Sequence, residues 1–198
     1  MNIEEIITNP PRDEYIDQYG SNFSNAPTVA KIKNLELKKL VDPTTIEYGL
    51  FDSSNRLVGY FSLEHHQSDI WVVTLVQLAQ AYKGMGYGTF FYDYAVMNDK
   101  LKLMSDATNT DGLNGSKNLW LSLFKKRRYN IVGYDTETNQ IMSDIHPDQI
   151  YNEKPNLRWL ALPGDKTINE YIQYCHTNPK RHVVLYGPGT TSENYFNF

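Results

Sequence analysis

The sequence predicts a mixed α/β (α+β) fold, with a central mixed β-sheet flanked by helices. Three observations point there. Runs rich in β-branched and aromatic residues fill positions 45–78, and helical spacing of apolar residues takes over from Thr89. The run "IWVVTLVQL" is apolar almost throughout, as in a strand covered on both faces. Beyond it helices and strands alternate, which puts antiparallel pairs and parallel crossovers into one sheet. A chain of 198 residues is long enough to bury a sizeable core. The expected organisation is a main domain over 1–163, with a C-terminal extension over 164–198 packed on it.

In order, residues 1–41 read as short helical pieces broken by "NPP" and "GSNFSNAP". Leu35, Leu37, Leu40 and Val41 would give the second piece its apolar stripe. "IEYGLF" and "RLVGYFSLE" flank the turn-forming "DSSN" and predict a hairpin. "IWVVTLVQL" is the buried strand. "TFFYDYAVMND" has helical spacing, and "LKLMSD" reads as a short strand. The loop "DATNTDGLNG" leads to "SKNLWLSLFKKRR", an amphipathic helix with Ser116 as its expected N-cap. Leu119, Trp120, Leu123 and Phe124 form its buried face. "YNIVGYD" and "LRWLALP" are strands, with "TETNQ" a turn. "INEYIQYCH" and "HVVLYGP" predict a final helix and strand.

Composition narrows the classes of function. Net charge is −4, against a general nucleic-acid binder, so nucleic acid is an unlikely partner. "KKRR" at 125–128 is the one basic run, and it suits a solvated helix end facing the negative pole of the dipole. One cysteine, Cys175, excludes an internal disulfide and a zinc–cysteine cluster. Cys175 and His176 are neighbours on an expected helix and point apart, so they make no thiol–imidazole pair. The opening "MNIEEIITNPPRDEY" is acidic where a secretory leader is basic. No apolar run approaches the roughly 18 residues of a membrane span. A cytoplasmic protein, monomeric or homodimeric, is expected.

The chemistry concentrates in "VQLAQAYKGMGYGTFFYDYAV", Val76 to Val96. Gly84, Gly86 and Gly88 stand where strand gives way to helix. Taken alone they are either a flexible turn or a backbone bared for close approach. In the second reading the first-turn amides of the helix point outward at the positive end of its dipole and form an anion nest. Lys83 adds a charge at the rim. The dinucleotide fingerprint would need glycine where Thr89 stands, and no Gly-Lys-Ser/Thr follows for a P-loop.

The segment from Leu78 to Gly88, "LAQAYKGMGYG", resembles the acyl-CoA signature of the GNAT N-acyltransferase superfamily. Tyr82 and Lys83 match its aromatic and basic positions, and the three glycines match its glycines. "SKNLW" at 116–120 resembles the second signature, and the order of elements agrees from about Thr45 to Pro163. The chain looks especially like the divergent small members found in tailed bacteriophages. The resemblance implies a three-layer sandwich with a splayed central sheet, and makes 1–163 an acyl-CoA-binding domain. It implies that Val76 and Leu78 hydrogen-bond the pantetheine arm through their backbone. Lys83, Gly84, Met85, Gly86, Tyr87, Gly88 and Thr89 would hold the pyrophosphate of acetyl-CoA or another acyl-CoA, with no metal.

For catalysis the resemblance implies a backbone N–H polarising the carbonyl, at Leu78. A tyrosine general acid belongs on the later helix, where Trp120 stands, so Tyr129 is the substitute. Asp106, at the end of the strand beside the cleft, is the expected base. Glu64, His65, His66, Asp69 and Ser105 are the other polar residues at strand borders; adjacent histidines face opposite sides of a strand, a poor metal geometry. The expected activity is direct acetyl transfer to an amine acceptor. The alternative is a non-catalytic GNAT-fold interaction or virion-associated module that still binds CoA.

Overall fold

The computed structural model describes residues 14–106, 115–126, 129–143, 146, 149–150 and 156–164. The predicted helix and strand beyond 165 lie outside them. The described chain forms one nine-stranded mixed sheet, in the order β1-β2-β3-β4-β5-β6-β9-β7-β8. The strands are β1 (Thr28–Ile32), β2 (Leu35–Val41), β3 (Thr45–Phe51), β4 (Leu57–Gln67), β5 (Ile70–Leu78), β6 (Lys102–Met104), β7 (Asn130–Asp135), β8 (Gln140–Met142) and β9 (Leu157–Leu162). Among the described residues three α-helices flank the sheet: α1 (Glu14–Gly20), α2 (Tyr87–Asp93) and α3 (Gly115–Lys126). A π turn, Tyr94–Asn98, continues α2 without a break.

The first part of the chain differs from the sequence-based expectation. Residues 28–41 form a β-hairpin in place of a second helical piece. Leu35 and Leu37 alternate with Glu36 and Lys38, which is the period of a strand, and both leucines are buried. The turn forms because Lys33 adopts a left-handed backbone, φ 53°. Helix α3 already includes Ser116, so Ser116 is not its cap. The short edge strand β8 is additional to the expected set. The predicted β3–β4 hairpin and the strands β5, β6, β7 and β9 are all present, but β5 is not covered on both faces: only Ile70 and Val73 are buried and the rest of it is half-exposed, because β6 accompanies only its first three residues.

The core has two sides. Leu35, Leu37, Ile46, Tyr48, Phe61 and Leu63 of the sheet pack with Phe90, Phe91, Tyr92 of α2 and Trp120, Leu123 of α3. On the opposite face Ile16 of α1 and Phe23 pack on Phe51, Leu57 and Tyr60. Strand β5 changes phase between these sides. Ser62 pairs with Leu75 but Leu63 pairs with Val73, so Thr74 is the extra residue of a β-bulge. Before the bulge, Trp71 and Val73 face α2 and α3; after it, Val76 and Leu78 do. The Thr74 hydroxyl donates to the Ser62 carbonyl across the bulge, 3.2 Å.

The sheet also parts at this place. β5 and β6 are its one parallel pair, and they join through only Ile70, Val72 and their neighbour Trp71. β6 stops at Met104 while β5 continues six residues beyond Val72. Among the described residues the sheet is therefore splayed between β5 and β6, and the second half of β5 has no strand partner on that edge.

Candidate functional site

The glycine turn sits at the end of that open edge. β5 ends at Leu78, a single 3₁₀ turn spans Gln80–Tyr82, and α2 starts at Tyr87. Gly84 and Gly86 have φ of 76° and 85°, a left-handed backbone that glycine adopts without a Cβ penalty. Gly86 is the N-cap of α2, and its carbonyl accepts the first intrahelical bond from the Phe90 amide, 3.0 Å. The amides of Tyr87, Gly88 and Thr89 precede that first bond and have no intrahelical acceptor. Nothing approaches within 4 Å of where a Cβ would stand on Gly84, so the turn is open as well as left-handed.

Side chains border the turn in a consistent way. Lys83, Gly84 and Met85 are exposed, Met85 by 47%. The rings of Tyr82 and Tyr87 lie 6.1 Å apart, and Tyr87 is buried under the start of α2. Burial, and then the neighbouring Tyr82, pushes the Tyr87 hydroxyl above the ordinary phenol range. Lys33, at the β1–β2 turn, places its ammonium 5.9 Å from the Tyr87 ring centroid. Thus one lysine stands on each flank of the turn, one local and one from the far hairpin.

The backbone of β5 completes the site. The Ala79 amide donates to the Val58 carbonyl of β4, 2.9 Å. Alternation along a strand then turns the polar groups of Leu78 and Val76 to the other side, toward the gap left by β6. No ladder pairing with β6 extends past Val72. The positions read from sequence as cofactor-binding thus follow one another from the edge of β5 to the first turn of α2, with the Tyr87 side chain buried among them.

The proton-transfer positions are placed less alike. Asp106 follows β6 at the mouth of the gap, beside Arg158 of β9. Burial lowers the Arg158 guanidinium, and the Asp106 charge opposes that shift. Ser105 is buried, its amide donating to the Trp159 carbonyl (2.9 Å) and its Oγ accepting from the Trp159 amide (3.1 Å). Tyr129 is 7% exposed and belongs to the core beneath α2 and α3. Trp120 is fully buried edge-on against Tyr92, 5.3 Å, and among the described residues its Nε1 has no acceptor. His65 closes the β4–β5 turn through Ser68 (2.9 Å) and packs on Trp71, while Asp69 pairs with Lys102. Among the described residues no three metal-ligating side chains come together.

One cluster has almost no signature in the sequence. On the face away from α2, the Tyr60 hydroxyl donates to Glu47, and Tyr19 of α1 stacks flat on Tyr60 with centroids 4.1 Å apart. Burial, and then Glu47, pushes the Tyr60 phenol well above its ordinary range. The only signal for it was the shared alternation of "TIEYGLF" and "LVGYFS", which puts Glu47 and Tyr60 on one face of paired strands.

No family model matches the chain, and neither does any curated protein. Solved structures similar to it include a GNAT-family acetyltransferase from Staphylococcus aureus MU50, with TM-score 0.38 and 8% identity over 61% of this chain and 68% of that one. A putative acyl-CoA N-acyltransferase from Klebsiella pneumoniae gives TM-score 0.38 and 14% identity, over 63% and 75%. Tetrahymena GCN5 gives 0.37 and 11%, over 64% and 72%.

Proposed function

We propose that the chain is a CoA-dependent N-acyltransferase that moves an acetyl group from acetyl-CoA to an amine. The observation that carries this reading is the union of an open left-handed glycine turn at a helix start with an unpaired strand edge leading into it. The turn suits a pyrophosphate, because Gly84 and Gly86 admit a bulky anion to the free amides of Tyr87, Gly88 and Thr89. The β5 edge suits the amide-bearing pantetheine arm, which can pair with Val76 and Leu78 as an added strand would.

Bound acetyl-CoA supplies an activated acyl group as a thioester. The Leu78 amide, turned to the gap, donates to the carbonyl oxygen and steadies the charge that develops there. Asp106 at the gap mouth accepts the proton that the acceptor nitrogen loses as it forms the new amide bond. Tyr129, the sequence-based candidate for the acid, is sealed in the core at the start of β7, three strands from β5, so the sulfur that leaves as the C–S bond breaks takes its proton from solvent.

Calorimetric titration with acetyl-CoA tests the reading. Saturable binding is expected, and Gly86→Glu should abolish it by placing a carboxylate where the anion sits and a Cβ at φ 85°. Absence of binding by the wild-type chain sinks the proposal. A second reading, a CoA-binding module without catalysis, is favoured by Trp120, whose indole is sealed in the core at the position of the expected tyrosine acid. Acetyl-CoA binding with no transfer to any amine would decide for that module.

A further inference from the structure

Strand β6 ends by an exchange of acceptors. The Ser105 amide donates to the Trp159 carbonyl at 2.9 Å, which carries the antiparallel ladder one step beyond the Met104–Leu160 pair. A regular ladder would return the bond, from the Trp159 amide to the Ser105 carbonyl. That amide donates instead to the Ser105 hydroxyl oxygen, at 3.1 Å. Trp159 is fully buried and Ser105 is 1% exposed, so the amide needs an acceptor inside the protein, and the side chain supplies it. Ser105 thus takes the place of its own carbonyl. The peptide that links it to Asp106 is released from the ladder.

That peptide is the one on which the gap depends. Backbone groups along a strand turn alternately to its two neighbours. Ser105 turns to β9, so in a continued strand the Asp106 amide would turn to β5, just past the Val72–Met104 pair. The Ser105 carbonyl and the Asp106 amide belong to one planar unit, so a single rotation withdraws both. Among the described residues β6 then stops, β5 runs on without it, and Asp106 leaves the sheet where the gap begins. There Asp106 is half-buried, and its charge acts on Arg158 of β9. We propose that Ser105 is a positioning residue of the site: its hydroxyl, by replacing a backbone acceptor, keeps the β5–β6 gap open and sets Asp106 at its mouth. The role of Asp106 as proton acceptor rests on the acyltransferase reading, whereas the exchange of acceptors has its own readout.

Ser105→Ala removes the hydroxyl, and the buried Trp159 amide should then take the carbonyl of residue 105. That adds a rung to the β6–β9 ladder and draws the Asp106 amide toward β5. NMR of the labelled full chain reads the change as a scalar coupling across the hydrogen bond, from the Trp159 nitrogen to the carbonyl carbon of residue 105. The coupling should be absent in wild type and present in Ser105→Ala. With an amine that the wild-type chain acetylates, kcat of Ser105→Ala should fall about tenfold or more, as for a displaced general base, while the calorimetric affinity for acetyl-CoA stays within about twofold. Ser105→Thr keeps the oxygen, so it should show no coupling and retain kcat within about threefold. The coupling in wild type, its absence in Ser105→Ala, an unchanged kcat in Ser105→Ala, or loss of transfer in a folded Ser105→Thr would each overturn the proposal. If Ser105→Ala does not fold, the wild-type coupling and the Ser105→Thr rate decide. If the wild-type chain acetylates no amine, the acyltransferase reading falls alone, and the couplings still decide this one.

Discussion

At the scale of single residues, the glycines do different jobs, and only some of them were legible. The spacing of Gly84, Gly86 and Gly88 before a helix announced a bared backbone, and two of the three are left-handed in the structure. Gly59 gave no such signal. It sits in β4 with an ordinary strand conformation, and its role emerges only from what lies across the sheet. A Cβ there would stand 2.8 Å from Leu78 Cδ2 and 3.3 Å from two atoms of the fully buried Phe91 ring. Gly59→Ala should therefore lower stability by about 1–2 kcal/mol through overpacking, read from urea midpoints. The side chain displaced is that of Leu78, so a drop in acetyl-CoA affinity should accompany it. Glu47 was illegible for a related reason: one carboxylate among 23 acidic residues gains meaning only when pairing puts Tyr60 beside it.

At the scale of elements, the second half of the chain was easier to read than the first. β5 and α3 are long, α2 runs on into the π turn, and each lies where its apolar pattern placed it. The β1–β2 hairpin is hard to read from sequence because Lys33 and Asn34 carry no glycine or proline turn signal, and two adjacent lysines blur the alternation of β2. One of those lysines has a structural task. Lys39 Nζ lies 2.6 Å from Asp99 at the end of the π turn, and the Tyr48 hydroxyl donates to the same oxygen at 2.7 Å. Burial, and then Asp99, drives the Tyr48 phenol far above its normal range, so Tyr48 stays a donor. This knot ties β2 and β3 to the end of the helical segment. Both charged side chains are mostly buried, at 20% and 13% exposure. Lys39→Met would leave Asp99 without its counter-charge and should cost about 3 kcal/mol in denaturant unfolding. Lys39→Met combined with Asp99→Asn should recover a good part of that loss.

At the scale of the whole molecule, the mixed sheet was expected, and its splay followed from the resemblance; the sequence could not show where it opens. That position depends on three short parallel pairs between β5 and β6, contacts between segments some thirty residues apart with no local signature. The response of the fold to acid follows from tight turns between neighbouring strands. Asp42, between β2 and β3, is held down at about 2 by the Thr45 hydroxyl first, then by the amides of Thr44 and Thr45 at 2.9 and 2.8 Å. A lowered carboxylate pKa means that the unfolded chain binds the proton more readily. The contribution is therefore complete above about pH 4 and is lost as pH falls toward 2. Asp42→Asn should unfold at lower temperature than wild type at pH 7, and the two melting curves should converge near pH 2. The bulge at Thr74 bears on the molecule in another way, through insertions and deletions. Because Leu63–Val73 and Ser62–Leu75 are already consecutive pairs, removing Thr74 would leave a regular ladder with Val76 and Leu78 still toward the helices, whereas drawing Thr74 into the ladder opposite Ser62 would turn Leu75 and Gln77 inward and send Val76 and Leu78 to the opposite face. A deletion here is a local matter, whereas a one-residue slip of the pairing re-addresses every side chain from there to the glycine turn. What fixes those faces is that this residue stays out of the ladder, whatever side chain it carries.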